Sequence, residues 1–327
     1  MIAVLGPDEP LTRLLARELA TGRDETAACA VYAPSRRGPD LGEAEAIFAE
    51  LARQGPSRVV VLSSTEVHEP HHHHTGMVEE ARLARRPGMN PRARLWLDLE
   101  ELAERLLSGL PGVTLTVLRP APVPQPGAPD PWSRLLSSRL AVTLPGCDPS
   151  LQLLAPEDLV AAIRAAFKAG ETVARGVFQV VPAGVVPLRR ALRLAGVRRL
   201  PLPRWLQRAG RGPWLDYLRY SWTASGEAAS QRLGFVPRRS SAEAAAGLGA
   251  GAPAVPEAAA PGRPSAAAPA PAAIHSTAGD FDDWGMDPAY IARYGRTLFR
   301  LLHDHYWRIE VRGLENVPRA GRAVLAG

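Results

Sequence analysis

Two hydrophobic rhythms take turns through the first 180 residues. Unbroken apolar runs occur at residues 1–5 and in ACAVYAP (28–34), SRVVVLSS (57–64), VTLTVLRP (113–120) and GVFQVVP (176–182). Runs of this length, several rich in β-branched residues, predict strands buried on both faces. Between them LTRLLARELA, EAEAIFAELARQ, ARLWLDLEELAERLL and LQLLAPEDLVAAIRAAF set leucines and alanines three and four apart, which predicts amphipathic helices. Strands alternating with helices predict one α/β domain with a parallel sheet, over residues 1–240. The pattern then breaks. Residues 241–279 are mainly Ala, Pro and Gly with few large apolar side chains, so little offsets the entropy of ordering and a flexible, disordered linker is predicted. A folded pattern, helix into short strand, resumes over 280–327.

Composition adds three constraints. A 46% hydrophobic content in 327 residues permits a sizeable core. The net charge of +6 rests on arginine, since Lys168 is the only lysine; it points to an anionic neighbour without choosing among phosphate, lipid headgroup and nucleic acid. No binding motif accompanies the charge, so nucleic acid is set aside. Cys29 and Cys147 fit no CxxC or Cys/His spacing and nothing at the N-terminus reads as a signal peptide, which predicts a cytoplasmic protein. No apolar run reaches membrane-spanning length, so membrane contact is expected only at the periphery of the inner face.

Five segments in order carry a family resemblance: IAVLG (2–6), VVVLSSTEV (59–67), TVLRPAPVPQPG (116–127), LQLLAPEDLVAAI (151–163) and SGEAASQRLGF (225–235). Over roughly its first three quarters the chain resembles the extended short-chain dehydrogenase/reductases, the NAD-dependent epimerase/dehydratase family. That resemblance implies a Rossmann-like fold, NAD or NADP as cofactor, and cofactor-binding positions at Gly6, Ser63, Ser64, Pro120 and Val123. It implies a catalytic serine at Ser64, in an SSxxV pattern, and puts His68 where the family has a tyrosine. An imidazole at His68 is a candidate general base.

The chain departs from the family pattern in three places. Where the family has GxxGxxG for close approach of a pyrophosphate, this chain reads Gly6, Pro7, Asp8, Glu9, Pro10, Leu11, Thr12. Pro7 and Pro10 lack amide donors, and Asp8 and Glu9 bring negative charge; the plainer reading is an ordinary helix start. Strand 28–34 leads straight into the helix before VVVLSS, as the family's fourth strand does, so the units between the first and fourth strands are expected to be missing. With 28–34 as the second strand instead, different units are lost; either way the N-terminal half of the sheet is reduced. Finally, the family's tyrosine and lysine, one helical turn apart, fall on Arg92 and Trp96 or on Trp96 and Glu100, and no tyrosine occurs between Tyr32 and Tyr217.

Other clusters read more plainly. His68 and His71 to His74 lack a metal-ligand spacing and predict a solvated loop, with no metal. Between Arg175 and Trp214 there are no acids, while Arg189, Arg190, Arg193, Arg198, Arg199, Arg204, Arg208 and Arg211 lie among leucines with Trp205 and Trp214. That mixture suits either an anionic membrane interface or a solvated helix face. WRIEVRGLENVPRAGRAVLAG (307–327) resembles the segment before the catalytic Asn-His motif of lysophosphatidate acyltransferase-like enzymes. The sequence ends at Gly327, before that motif; His305 and Glu310 imitate its spacing by coincidence.

The leading expectation is thus a degenerate epimerase/dehydratase-type domain, binding a ligand or regulating a fused phospholipid acyltransferase. Its expected partners are an anionic membrane surface or lipid substrate and a second copy of the chain. One alternative is an active NAD(P)-dependent epimerase, dehydratase or reductase working through Ser64, His68 and the loop after Leu118; another is a structural interaction module.

Overall fold

The computed structural model of the protein describes residues 2–20, 29–71, 76–80, 88–201 and 213–249. Most of the stretch read as linker, the acyltransferase-like fragment, His72 to His74, Arg204, Trp205, Arg208 and Arg211 lie outside the described residues.

The apolar runs become β1 (Ile2–Leu5), β2 (Cys29–Tyr32), β3 (Arg58–Leu62) and β4 (Thr114–Pro120), and after β5 (Leu140–Thr143) and β6 (Ser150–Leu151) comes β7 (Gly176–Val180), followed by β8 (Val186–Pro187) and β9 (Arg198–Pro201). Five strands form one parallel sheet in the order β1-β2-β3-β4-β7. The helices are α1 (Pro10–Ala20), α2 (Leu41–Gln54), α3 (Pro91–Leu107), α4 (Pro131–Ser137), α5 (Pro156–Lys168), α6 (Glu171–Ala174), α7 (Leu188–Leu194), α8 (Pro213–Tyr217), α9 (Glu227–Leu233) and α10 (Ser241–Ala246). Local chemistry sets the ends of the longer ones. Asp40 caps α2 by accepting the Gly42 and Glu43 amides, and Gly55 closes it with a left-handed φ of 63°. Asn90 caps α3, with Pro91 at its first position.

Strand alternation divides the core. Val31, Val60, Leu118 and Phe178 join α1, α5 and α9 on one side of the sheet. Tyr32, Val59, Val61 and Val117 join α2 and α3 on the other. A third apolar cluster, built from α4, α7, α8, α10 and the pairs β5–β9 and β6–β8, forms a smaller lobe reached through the loop after β4.

The strand order decides between the two sequence readings of residues 28–34. β2 lies between β1 and β3, as expected if it is the family's fourth strand; as the second, it would leave β1 in the middle. Helix placement bears on the same point. The steps β1→β2 and β2→β3 run in one direction, yet α1 and α2 cover opposite faces, so the two crossovers have opposite hands. Crossovers of this kind are right-handed in about 98% of cases. α1 covers the face that a right-handed crossover toward strands beyond β1 would use. The longer β4→β7 connection, which detours through the small lobe, also returns on the α1 face.

One boundary needs correction. α10 lies inside the stretch read as linker: Ser240 and Glu243 form a reciprocal capping box, and Ala245 is fully buried in the small-lobe cluster. Alanine is the best helix former, and a neighbouring element supplies the large apolar partners that this segment lacks. The ordered structure therefore extends beyond residue 240.

Candidate functional site

The C-terminal ends of β3 and β4 open onto a buried polar cluster centred on Glu66. Just after β3, Ser64 accepts the Glu66 amide at 3.2 Å and caps a 3-10 turn over Thr65–Val67. That turn aims the Glu66 carboxylate inward, where it is 2% exposed. Its Oε2 accepts Arg92 Nε at 2.6 Å and Trp96 Nε1 at 3.0 Å, and its Oε1 accepts Trp132 Nε1 at 3.1 Å. Tyr217 donates its hydroxyl to the Glu66 carbonyl at 3.0 Å; burial, then the nearby Glu66, holds this phenol well above its usual pKa and so neutral. Arg36 completes the cluster. Its guanidinium donates to the Ser63 carbonyl at 2.8 Å and lies 4.9 Å from the centre of the Trp96 ring. Burial lowers the Arg36 pKa, and Glu66 and Asp130 act against that shift.

Helix α3 supplies the facing wall. Arg92, Trp96 and Glu100 are four residues apart, hence on one stripe of the helix. They are also the positions where the resemblance would put tyrosine and lysine. Arg92 and Trp96 bind Glu66. Glu100 accepts Ser63 Oγ at 2.5 Å and pairs in two-pronged fashion with Arg119 of β4, at 2.8 and 2.7 Å. All three side chains of the stripe are thus engaged by partners inside the fold.

The turn after β1 is closed as well. Gly6 has φ 134°, and a Cβ there would come 2.1 Å from the Ala33 carbonyl oxygen. This glycine therefore serves the close approach of the β1 and β2 ends. Glu9, just before α1, accepts Ser35 Oγ at 2.6 Å and the Arg36 amide at 3.3 Å. Its carboxylate thus bridges the helix start to the loop after β2, and Pro10 offers no amide in the first helical turn.

The other sequence-predicted positions gather at the same sheet edge. Ser63 and Ser64 are fully buried. Pro120 ends β4, and Val123 packs in the core with α1 and α5. His68 is buried too; its Nε2 meets Gln179 Oε1 at 3.1 Å, while Gln179 Nε2 donates to the Val78 carbonyl at 2.9 Å, an orientation that makes Nε2 the protonated ring nitrogen. Among the described residues no group of three or more His, Cys, Asp or Glu could hold a metal ion, and no helix is long and apolar enough to cross a membrane. Trp214 is half-buried against the small-lobe core; it meets Trp132 edge-on with ring centroids 4.5 Å apart and stacks on Tyr217 at 5.9 Å. Sequence reasoning missed Glu66, Arg36 and Trp132. The one signal available was a glutamate following two serines at a strand end.

No protein-family profile matches the chain. Uncharacterized proteins of Mycobacterium bovis and Mycobacterium tuberculosis are 32% identical over 217 residues, covering 63% of this chain and 55% of theirs. The chain thus spans about half the length of the curated relatives it matches. Among solved structures, MoeE5 in complex with UDP-glucuronic acid and NAD aligns with a TM-score of 0.57 at 17% identity, over 75% of this chain and 96% of that one. Human epimerase family protein SDR39U1 with NADPH gives 0.57 at 15%, over 76% and 99%. UDP-glucose 4-epimerase from Thermotoga maritima with UDP-glucose gives 0.55 at 12%, over 76% and 97%. At these identities the likeness is one of fold: the described domain has the Rossmann-like fold of NAD(P)-binding epimerases and dehydratases, with its sheet ending at β1 among the described residues.

Proposed function

We propose that this chain uses the epimerase/dehydratase fold as a ligand-binding or regulatory domain without nicotinamide redox chemistry, acting beside a phospholipid acyltransferase whose opening segment is the resemblance at 280–327. The Glu66 carboxylate carries the reading. It sits at the strand ends with three N–H donors already bound, in the cleft where dinucleotides bind such sheets. A nicotinamide there would face Arg36, Trp96 and Arg92 in place of a tyrosine and lysine. A pyrophosphate would meet the Glu9 carboxylate instead of glycine amides. The adenine half would need strands beyond β1, and the described sheet ends at that strand. These residues do not fit a dinucleotide bound as in the family.

A second reading, an active NAD(P)-dependent epimerase or dehydratase, is favoured by the NAD and NADPH in the structural neighbours. Ser64 and His68 would then carry proton transfer, although Ser64 caps a turn and His68 is tied to Gln179. Incubating the full chain with NAD and UDP-glucose or UDP-glucuronic acid separates the two. The expected result is no reduced nicotinamide and no epimeric sugar. Turnover that Ser64→Ala abolishes would replace the first reading with the second.

A further inference from the structure

We propose that the outer face of the β5–β9 pair is a docking surface for an anionic lipid bilayer. The two strands run parallel with Leu140 beside Arg198 and Val142 beside Leu200, so these four side chains share one face. Leu140, Val142 and Leu200 are 52%, 41% and 49% exposed. Exposed apolar residues are ordinary when scattered, but these three adjoin across a strand pair. Pairing assembles the patch from segments far apart in the chain.

The surroundings specify the occupant. Helix α7 buries Leu188, Ala191 and Leu192 in the small lobe, while Arg189, Arg190 and Arg193 are exposed. Arg198 and Arg199 are exposed on β9 itself. Residues 134–148 and 186–201 together hold seven arginines and one acid, Asp148, which lies 3.9 Å from Arg189. An apolar strip with Arg198 on its own face, in a lobe rich in exposed guanidinium groups, matches a bilayer interface on both counts. Leucine and valine enter the boundary between headgroups and acyl chains, and planar guanidinium groups bind lipid phosphates through paired hydrogen bonds. The surface belongs to the small lobe, and this inference holds whether or not the strand-end cleft accepts a dinucleotide.

Vesicle flotation of the full chain tests it, with phosphatidylcholine vesicles prepared with and without phosphatidylglycerol. The chain is expected to float only with the anionic vesicles and to be released by added salt. At about fivefold per arginine on the docking face, Arg198→Gln lowers partitioning by about fivefold. Leu140→Asp with Leu200→Asp lowers it by about tenfold or more. All three side chains are exposed, so thermal melting is expected to stay unchanged in these variants. Arg13→Gln with Arg17→Gln, on exposed α1 positions, leaves partitioning as it was. No flotation of the unaltered chain, equal flotation with neutral vesicles, or equal loss in the α1 control would each overturn the proposal.

Discussion

Replacement of Glu66 by alanine is expected to destabilise the described domain by about 3–5 kcal/mol, because it strands the charges that this carboxylate neutralises. Arg92 is 14% exposed at its side chain and pairs with Glu66 at 2.6 Å, and Arg36 is 8% exposed with Glu66 first among the charges opposing its desolvation. Two indole N–H groups, on Trp96 and Trp132, would also lose their acceptor, each at about 1–3 kcal/mol before relaxation. Glu66→Gln keeps the shape and one acceptor oxygen but removes the charge, so a smaller loss is expected. Urea unfolding with an unchanged slope measures both losses. In a nicotinamide enzyme a side chain at this place could be exchanged for activity's sake at little cost to stability; here it joins β3, α3 and α4.

The second large effect concerns Glu100 and Arg119. Arg119 is 3% exposed and bound through Nε and Nη2, but its Nη1 has no partner, so the pair does not fully recover its desolvation cost. Removing one charge alone, by Arg119→Met or Glu100→Leu, is expected to cost about 3–5 kcal/mol. Replacing both together is expected to cost far less, within about 1–2 kcal/mol of the unaltered protein. Ser63 loses its acceptor in the double variant and supplies part of the remainder. A double-mutant cycle by chemical denaturation measures the difference. Equal and additive losses would mean that the two side chains act separately.

Much of the architecture could be read from the chain because the central strands are covered on both sides. RVVVL at 58–62 can be buried only in a sheet with helices on either face, and the leucine spacing in α1 and α3 names those helices. The place of β2 beside β1 was legible too, as short chain length between the two strands. The polar cluster was not. Glu66 acquires its meaning from Trp132 and Tyr217, which a separate lobe brings back to the strand end, and no local pattern marks such partners. Trp214 likewise meets Trp132, a partner distant in sequence that no local pattern marks. β5 and β9 escaped notice because strands of four residues are too short to announce themselves, and β9 also carries two arginines and a proline. For α10, alanine content signalled linker, although the same residues behind a Ser240 cap favour a helix.

On the proposed reading, internal salt bridges occupy the strand-end cleft in place of a dinucleotide. Titration calorimetry of the full chain with NAD, NADH, NADP and NADPH tests it most directly. No binding of any of the four tighter than about 1 mM is expected, a threshold near −4 kcal/mol. Micromolar binding of any one of them would contradict it, since the cofactor would then have to displace Arg36 or enter past the Glu9 carboxylate.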